Sequence, residues 1–575
     1  MKMFKQLIAA VLALIMLVSL AACGAQKQES TEPAKQETEV SKKEEKVETE
    51  TPAVEEDKYY NETGYPICDE TIQITVSGVA NYTNDWEETV MVKYIRDELG
   101  IDMVCDPLPA DSFSSQYALM LANNEQPDML INLQNFNKAQ SNMDGEAGYW
   151  LDLSQYLDIM PNFVKCMEEN PAWAAYNKTE SGAIYGFNWM TASEVGRIGG
   201  MLYVNRAAAE SVGYDKDSIK TLDDFYNLLV ALKEQYPDEI IFSILPTGVG
   251  YSYHGERVLR TSFGINHLGK RYLTELGEDG KAFLHDVTDN YREYLKFMNK
   301  LYEEGLLDSE CFVRTADEFR TLEYDGEFLV WSDSGINSAH GVPGNWIAVP
   351  ALTTEEYPES TFVLGTPVKE GVRIMVKADT EYPEAICRLI DYMFTEEGKA
   401  LAGGYGIEGE TFDWVTDKYG ITTVSHEKYA DLTEFETVHE WTIQNNSIFQ
   451  GMQFFHGLDR VPFNGVATDV LAAMVDDEEV LIDSRFFAYT GLAIKDVENL
   501  VSGQTPVVYS EDETKERATL YTDIDNYLKT MKVSFISGEI DIENDDEWNN
   551  YVEQLKKMGY DRLMEIETAA MNRMQ

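Results

Sequence analysis

The chain has 575 residues, with 46 basic and 101 acidic side chains and a formal charge of −55. A field of that sign repels nucleic acid and anionic headgroups and disfavours polyanionic ligands. With 44% hydrophobic and 11% aromatic residues there is ample material for packing, and the length exceeds one ordinary core, so at least two domains are expected.

Lys2 and Lys5 precede an apolar run from Leu7 to Leu20. A basic start, an apolar stretch too short for a permanent span and a small-residue exit make residues 1–22 an export signal. The sequence Leu20-Ala21-Ala22-Cys23-Gly24 resembles the bacterial lipobox, which implies cleavage before Cys23 and acylation of its thiol. Two or more acyl chains hold a protein stably at a bilayer. Residues 23–64 are then a lipidated cysteine and a tether. Glu, Lys, Thr, Gln and Ser dominate the tether, and such a segment cannot offset its own ordering entropy, so disorder is expected. Its span would be roughly 35 Å. Cys68, Cys105, Cys166, Cys311 and Cys387 are widely spaced and odd in number, which reads as buried free thiols rather than a disulfide framework.

The body opens with a strand at 71–77 (TIQITVS), a helix at 88–99 closed by Gly100, a strand at 101–105, a helix at 113–123 and a short strand at 128–131. This β-α-β-α-β order marks a parallel sheet covered by helices. A helix at 221–236 opens on Thr-Leu-Asp-Asp, where Asp224 can complete a capping box. A helix at 290–304 stops at Gly305. One long helix is expected over 381–402, with Pro383 near its start and Gly403 past its end. Residues 514–575 read as two long helices around a polar turn near Asn544.

Signatures of catalysis are missing. There is no Gly-x-Ser-x-Gly elbow and no phosphate-cradling Gly-Lys-Ser/Thr loop. The seven histidines are scattered without metal-ligand spacing. A glycosidase carboxylate pair is not recognisable from sequence, because it is defined by separation in space. Residues 541–545 (DIEND) superficially resemble a calcium loop. Asp546 stands where the turn glycine belongs and Val552 where the closing glutamate belongs, so a standard EF-hand is rejected and only an irregular site stays open. No metal and no cofactor is expected.

Several segments together resemble extracellular solute-binding proteins of ABC transporters, in the oligosaccharide-type lipoprotein branch. These are 124–131 (NEQPDMLI), 202–206 (LYVNR) with 213–215 and 221–225, and 325–332 (DGEFLVWS). The resemblance continues through 382–398, 405–410 (YGIEGE), and 536–540 with 547–548 and 555–560. It implies a two-lobed, type II periplasmic-binding-protein-like α/β fold with a hinge and a ligand cleft. Crossings are expected at 186–190, 346–351 and 402–409. Lobe 1 would comprise 65–188 and a return at 347–405, and lobe 2 would comprise 189–346 and 406–575 with the C-terminal helices.

Sugars stack their apolar faces on aromatic rings, each a large rigid unit of area, and take hydrogen bonds from polar groups at the rim. Trp331 and Trp346 beside the expected cleft, Trp189 at the first crossing, Trp414 after the 405–410 motif and Trp86 after the first strand are therefore candidate ligand contacts. Loops at strand carboxyl ends are where such folds bind ligands. Asp128, Asn135 and Glu408 are polar candidates, with backbone capping as the competing role for Asp128. Trp150, Trp173 and Trp548 lie in amphipathic stretches and are assigned to cores. The resemblance implies a monomeric, non-enzymatic binding protein on the outer face of the cell membrane. It would pass an oligosaccharide to permease subunits and make no contact with nucleic acid. A peptide ligand, a role as ligand-presenting partner of a membrane sensor, and a surface glycoside hydrolase are the alternatives.

Overall fold

The computed structural model describes residues 59–573, except 81–84, 111, 134–135, 137, 189, 191–196, 199, 246–255, 267–273, 334–335, 337–339, 369–370, 434, 436–437, 450–466, 504–506 and 508.

Strand β1 (Ile72–Ala80) pairs in parallel with β2 (Ile101–Pro109), Ile72 opposite Ile101. It also pairs in parallel with β3 (Met129–Leu133), Val76 opposite Met129. The helices between them are Val90–Leu99 and Phe113–Asn123, as the spacing predicts. The first buries Met91, Val92, Ile95 and Leu99 and stops at Gly100, whose φ of 75° is left-handed. A Cβ on Gly100 would lie 2.1 Å from the Cys68 carbonyl oxygen, so both conformation and space demand glycine there.

At the first expected crossing, Phe187 and Met190 bridge to Ile374 and Val368. The second lobe then contributes β4 (Met201–Asn205), β5 (Ile240–Ile244), a hairpin of β6 (Thr274–Leu276) and β7 (Ala282–Leu284), β8 (Phe328–Asp333) and β9 (Trp346–Val349). Its main sheet has the order β5-β8-β4-β9, with β4 antiparallel to both neighbours. Strand β10 (Thr361–Leu364) precedes β11 (Val372–Val376), which joins the first sheet antiparallel to β3 and completes the order β11-β3-β1-β2. A hairpin of β12 (Asp413–Thr416) and β13 (Thr422–Ser425) follows, and β14 (Asn499–Ser502) pairs in parallel with β10.

Two crossings lie elsewhere than expected. Residues 346–349 form β9, hydrogen-bonded to β4 with Trp346 opposite Asn205, so the return to lobe 1 runs between β10 and β11. Residues 402–409 stay on lobe 1. The Ser447 hydroxyl donates to Ala402 O (3.0 Å), the Asn446 amide to Gly404 O (2.9 Å), and the Met91 N–H to Asn446 O (3.0 Å). Ile448 and Phe449 are in the lobe 1 core, and the next described helix, Thr468–Val475, is in that of lobe 2. Glycine-rich, aromatic-rich sequence marks tight turns as well as hinges, and here it marked turns.

Period-two alternation gives each sheet two buried faces. In β4, Leu202 and Val204 face a core with helices Leu222–Gln235, Asp289–Glu303 and the C-terminal helices. Met201 and Tyr203 face a second layer with Leu471, Met474 and Phe486. In β3, Met129 and Ile131 face one layer and Leu130 the other. The capping box at Thr221 and Asp224 forms as expected. The 381–402 segment is two helices, Pro383–Tyr392 and Glu396–Ala402, because the Thr395 hydroxyl caps a new start by accepting the Gly398 N–H (3.0 Å). The C-terminal portion is three helices, Glu511–Ile536, Asp545–Lys557 and Tyr560–Arg573, with Gly559 at φ 99° dividing the last two.

Candidate functional site

Register fixes where a ligand site belongs. Leu133, at the end of β3, lies opposite Val372, which opens β11 just after a crossing. Met201, which opens β4 after the first crossing, lies opposite Asp333 at the end of β8. The carboxyl ends of the parallel strands in both sheets therefore meet the crossings, the position at which open α/β sheets bind ligands.

Three residues that the sequence did not single out hold this region. Asn132, fully buried near the end of β3, adopts φ 60° and donates its amide to Ile448 O (2.8 Å). A left-handed, buried non-glycine residue at a strand end marks a place where the surroundings impose the conformation. Lys138 is buried just past β3, with its ammonium donating to Gly186 O at the first crossing (2.7 Å); burial lowers its pKa to about 7. Arg257 is buried beyond β5 and donates to Val363 O in β10 (2.8 Å); burial lowers its pKa to about 9. In sequence each is a lone polar residue among many, and only the tertiary fold reveals its burial.

The candidates read from sequence separate clearly. Asn135, Trp189 and Cys23 lie outside the described residues. Asp128 sits at the amino end of β3, away from the crossings. Its Oδ2 accepts the Thr75 N–H (2.8 Å) and hydroxyl (2.7 Å), and its Oδ1 accepts the Thr380 hydroxyl (2.7 Å). Burial opposes ionisation of Asp128, but these hydrogen bonds outweigh it and hold the carboxyl below its ordinary range. Asp128 thus ties β1 to the segment after β11, close to the competing capping role. Trp86 is 1% exposed in the lobe 1 core, with an indole N–H that has no partner among the described residues. Trp331 is fully buried, stacked on His340 (4.9 Å, 13°) and edge-on to Trp346 (5.7 Å). Trp346 starts β9 at the sheet end remote from the crossings and donates to His340 O (2.9 Å). Trp86 and Trp331 pack as core residues, because aromatic residues that flank a strand satisfy the sheet before they can serve a cleft, whereas Trp346 also lines a cavity of about 540 Å³ with Arg206, Glu323 and His340. Trp150, Trp173 and Trp548 are buried, as expected.

Glu408 and Trp414 do come together. With Tyr94, Tyr392, Phe412 and Glu397 they line a cavity of about 250 Å³ on lobe 1, the volume of roughly eight waters and enough for a single sugar ring. Tyr392 donates to Tyr94 across two stacked rings (3.2 Å; centroids 6.2 Å apart), and Phe412 meets Trp414 edge-on (5.5 Å). Aromatic walls with a carboxylate rim can bind the apolar face and the hydroxyls of a sugar. Among the described residues, no group of three or more His, Cys, Asp or Glu side chains is placed to hold a metal. In the loop that superficially resembles a calcium site, Asp541 accepts the Glu543 N–H (3.0 Å) and Asn544 the Asp546 N–H (2.9 Å), so both serve turn and cap.

No protein-family model matches the sequence. The chain is 22% identical over 526 residues to the fructooligosaccharide ABC transporter substrate-binding protein FusA of Streptococcus pneumoniae serotype 4, covering 84% of this chain and 86% of that protein. It is 24% identical over 493 residues to lipoprotein LipO of Bacillus subtilis strain 168, covering 82% and 86%. The structure of an EF-hand mutant of Streptococcus pneumoniae FusA with fructo-nystose superposes with a TM-score of 0.68 at 19% identity, over 87% of this chain and 99% of that one. An HMO-binding, ABC-transporter-associated solute-binding protein from Bifidobacterium longum infantis gives 0.66 at 17%, over 87% and 98%. The chain therefore shares the two-lobed α/β fold of these solute-binding-protein structures.

Proposed function

We propose that this chain captures an oligosaccharide between its lobes and delivers it to the permease subunits of an ABC importer, without covalent chemistry. The observation that carries this reading is the convergence of strand carboxyl ends from two separately packed sheets on shared crossings. Such lobes close around a ligand that binds the closed state better. Relatives and structural neighbours named for fructooligosaccharide and HMO binding support a carbohydrate cargo. Cys23 is proposed as the lipid attachment point that keeps the protein at the outer face of the membrane. No helix among the described residues is long and apolar enough to cross it. Within this reading, the Glu408–Trp414 cavity takes one ring of the ligand.

The test is calorimetric titration of the mature chain, beginning at Cys23, with fructooligosaccharides, other oligosaccharides and peptides. Saturable binding of one oligosaccharide class without its breakdown is expected. Binding of peptides alone would overturn the carbohydrate reading. Trp414→Ala should weaken the oligosaccharide about tenfold, from the loss of one stacking platform of about 1–1.5 kcal/mol, with little change in melting temperature. An unchanged affinity would remove the cavity from the site.

A further inference from the structure

The lobes are joined by more than their covalent crossings. The β12–β13 hairpin is rooted in lobe 1. Phe412 is buried against Ala400, the Thr411 hydroxyl accepts the Ile407 N–H (2.7 Å), and the His426 ring Nδ1 lies 2.9 Å from Thr411 O. Asp413 accepts from Lys428 (3.2 Å) and from the Tyr429 hydroxyl (2.8 Å). Four residue pairs later the hairpin turns, and its tip lies on lobe 2. Ile421 is 6% exposed within the cluster that holds Leu471, Met474 and Phe486. The Tyr419 hydroxyl donates to Asp477 Oδ2 (2.7 Å), and Lys418 pairs with Asp477 and donates to Glu479 Oε2 (3.1 Å). Hydrogen bonds from Lys418 and Tyr419 hold the Asp477 carboxyl at about 2.

The tip is itself stiff. Asp417 Oδ1 accepts the N–H groups of both Tyr419 and Ile421 (2.9 Å each), Asp417 N–H donates to Ile421 O (2.9 Å), and Gly420 supplies φ 80°. A stiff arm fixed to one body and hydrogen-bonded to another restrains their separation, because bonds of this length are lost when the partners part by an ångström or so.

We propose that the β12–β13 hairpin is a strap across the hinge, rooted in lobe 1 and clasped to lobe 2 at Asp477, which favours the lobe spacing seen here over others. The clasp then contributes a free-energy difference between lobe arrangements, and a ligand that selects a different arrangement has to work against it. The strap is independent of which ligand the protein takes.

The experiment is small-angle X-ray scattering of the ligand-free mature chain beside the Lys418→Met/Tyr419→Phe double variant, which removes both donors to Asp477 and Glu479. Amide exchange is followed in both. These near-isosteric changes cut the clasp and leave Ile421 in place. The variant should show a different radius of gyration and a broader distance distribution, with faster exchange at 413–425 and unchanged protection of β3 and β4. Scattering curves that superpose would overturn the proposal, whatever the local exchange does, since the hairpin would then be packing alone. Where an oligosaccharide is known to bind, its Kd should shift at least threefold in the variant, and an unchanged Kd counts against the strap. If no oligosaccharide binds the parent chain, the transport reading fails while the scattering comparison still decides the strap.

Discussion

Asp391 is fully buried on the helix Pro383–Tyr392, and it serves the backbone of another helix. Its Oδ1 accepts the N–H groups of Asn162 (2.7 Å) and Phe163 (2.9 Å), and its Oδ2 accepts the Asn162 amide (2.8 Å). The helix Pro161–Glu169 has no side-chain cap of its own at Met160, so Asp391 caps it from 229 residues away. Asp391→Ala leaves the buried Phe163 N–H and two half-buried Asn162 donors without their acceptor and should cost about 2–3 kcal/mol, read as a fall in the urea midpoint at unchanged slope. His426 works in the opposite sense. Burial lowers its pKa below 6.5, while the bond to Thr411 O pulls it back only in part. The folded ring therefore binds a proton less readily than the unfolded one. Stability is complete above the ordinary histidine value of about 6.5 and is lost as pH falls from there through the folded value. His426→Gln should flatten the decline in urea midpoint between pH 7.5 and 5.5, and an equal decline in both proteins would show that the ring is not the titrating group.

Elements are where local sequence and tertiary demand diverge. Gly398 stands inside the helix Glu396–Ala402, where its Cβ would lie 1.8 Å from Tyr392 O. The two helices of this segment pack so closely at their junction that no side chain fits. Gly398→Ala should destabilise by about 3 kcal/mol or more, against a gain of at most about 1 kcal/mol from helix propensity. An unchanged melting temperature would mean that the junction relaxes freely. The same junction shows why part of the fold was legible and part was not. The helix Phe113–Asn123 matches its expected bounds, and Thr221 and Asp224 build the expected box, because periodicity and caps are local. The division at Met393–Thr395 was written as Thr-Glu-Glu, but an apolar pattern running through it hid the cap. The placement of β9 was not visible, since strand pairing between β9 and β4 spans some 140 residues and leaves no local mark. The same holds at the site. Glu408 and Trp414, neighbours in sequence, line one cavity, whereas Asn132 and Lys138 acquire their contacts only through Ile448 and Gly186.

Over the whole molecule charge is the dominant long-range fact. Pairing every one of the 46 basic residues would still leave 55 acidic ones uncompensated. A few pairs are shielded, as at Arg314 with Asp308 (3.0 Å), but others, such as Arg562 with Glu516, are about half exposed and add little. Net repulsion should therefore destabilise the folded protein at low ionic strength. Moving from 20 mM to 0.5 M sodium chloride shortens the screening length from roughly 20 Å to about 4 Å, and the melting temperature should rise by about 3 °C or more. A fall would mean that attractive surface networks outweigh the repulsion. The ligand should respond differently. An uncharged oligosaccharide is not steered by the field, so its Kd and association rate should hold constant over the same range of salt. A cationic peptide would bind more weakly, and more slowly, as salt rises. Salt-sensitive stability with salt-insensitive binding is thus the combined pattern expected of a neutral-sugar carrier with this exterior, and binding that weakens with salt would move the cargo to a positively charged class.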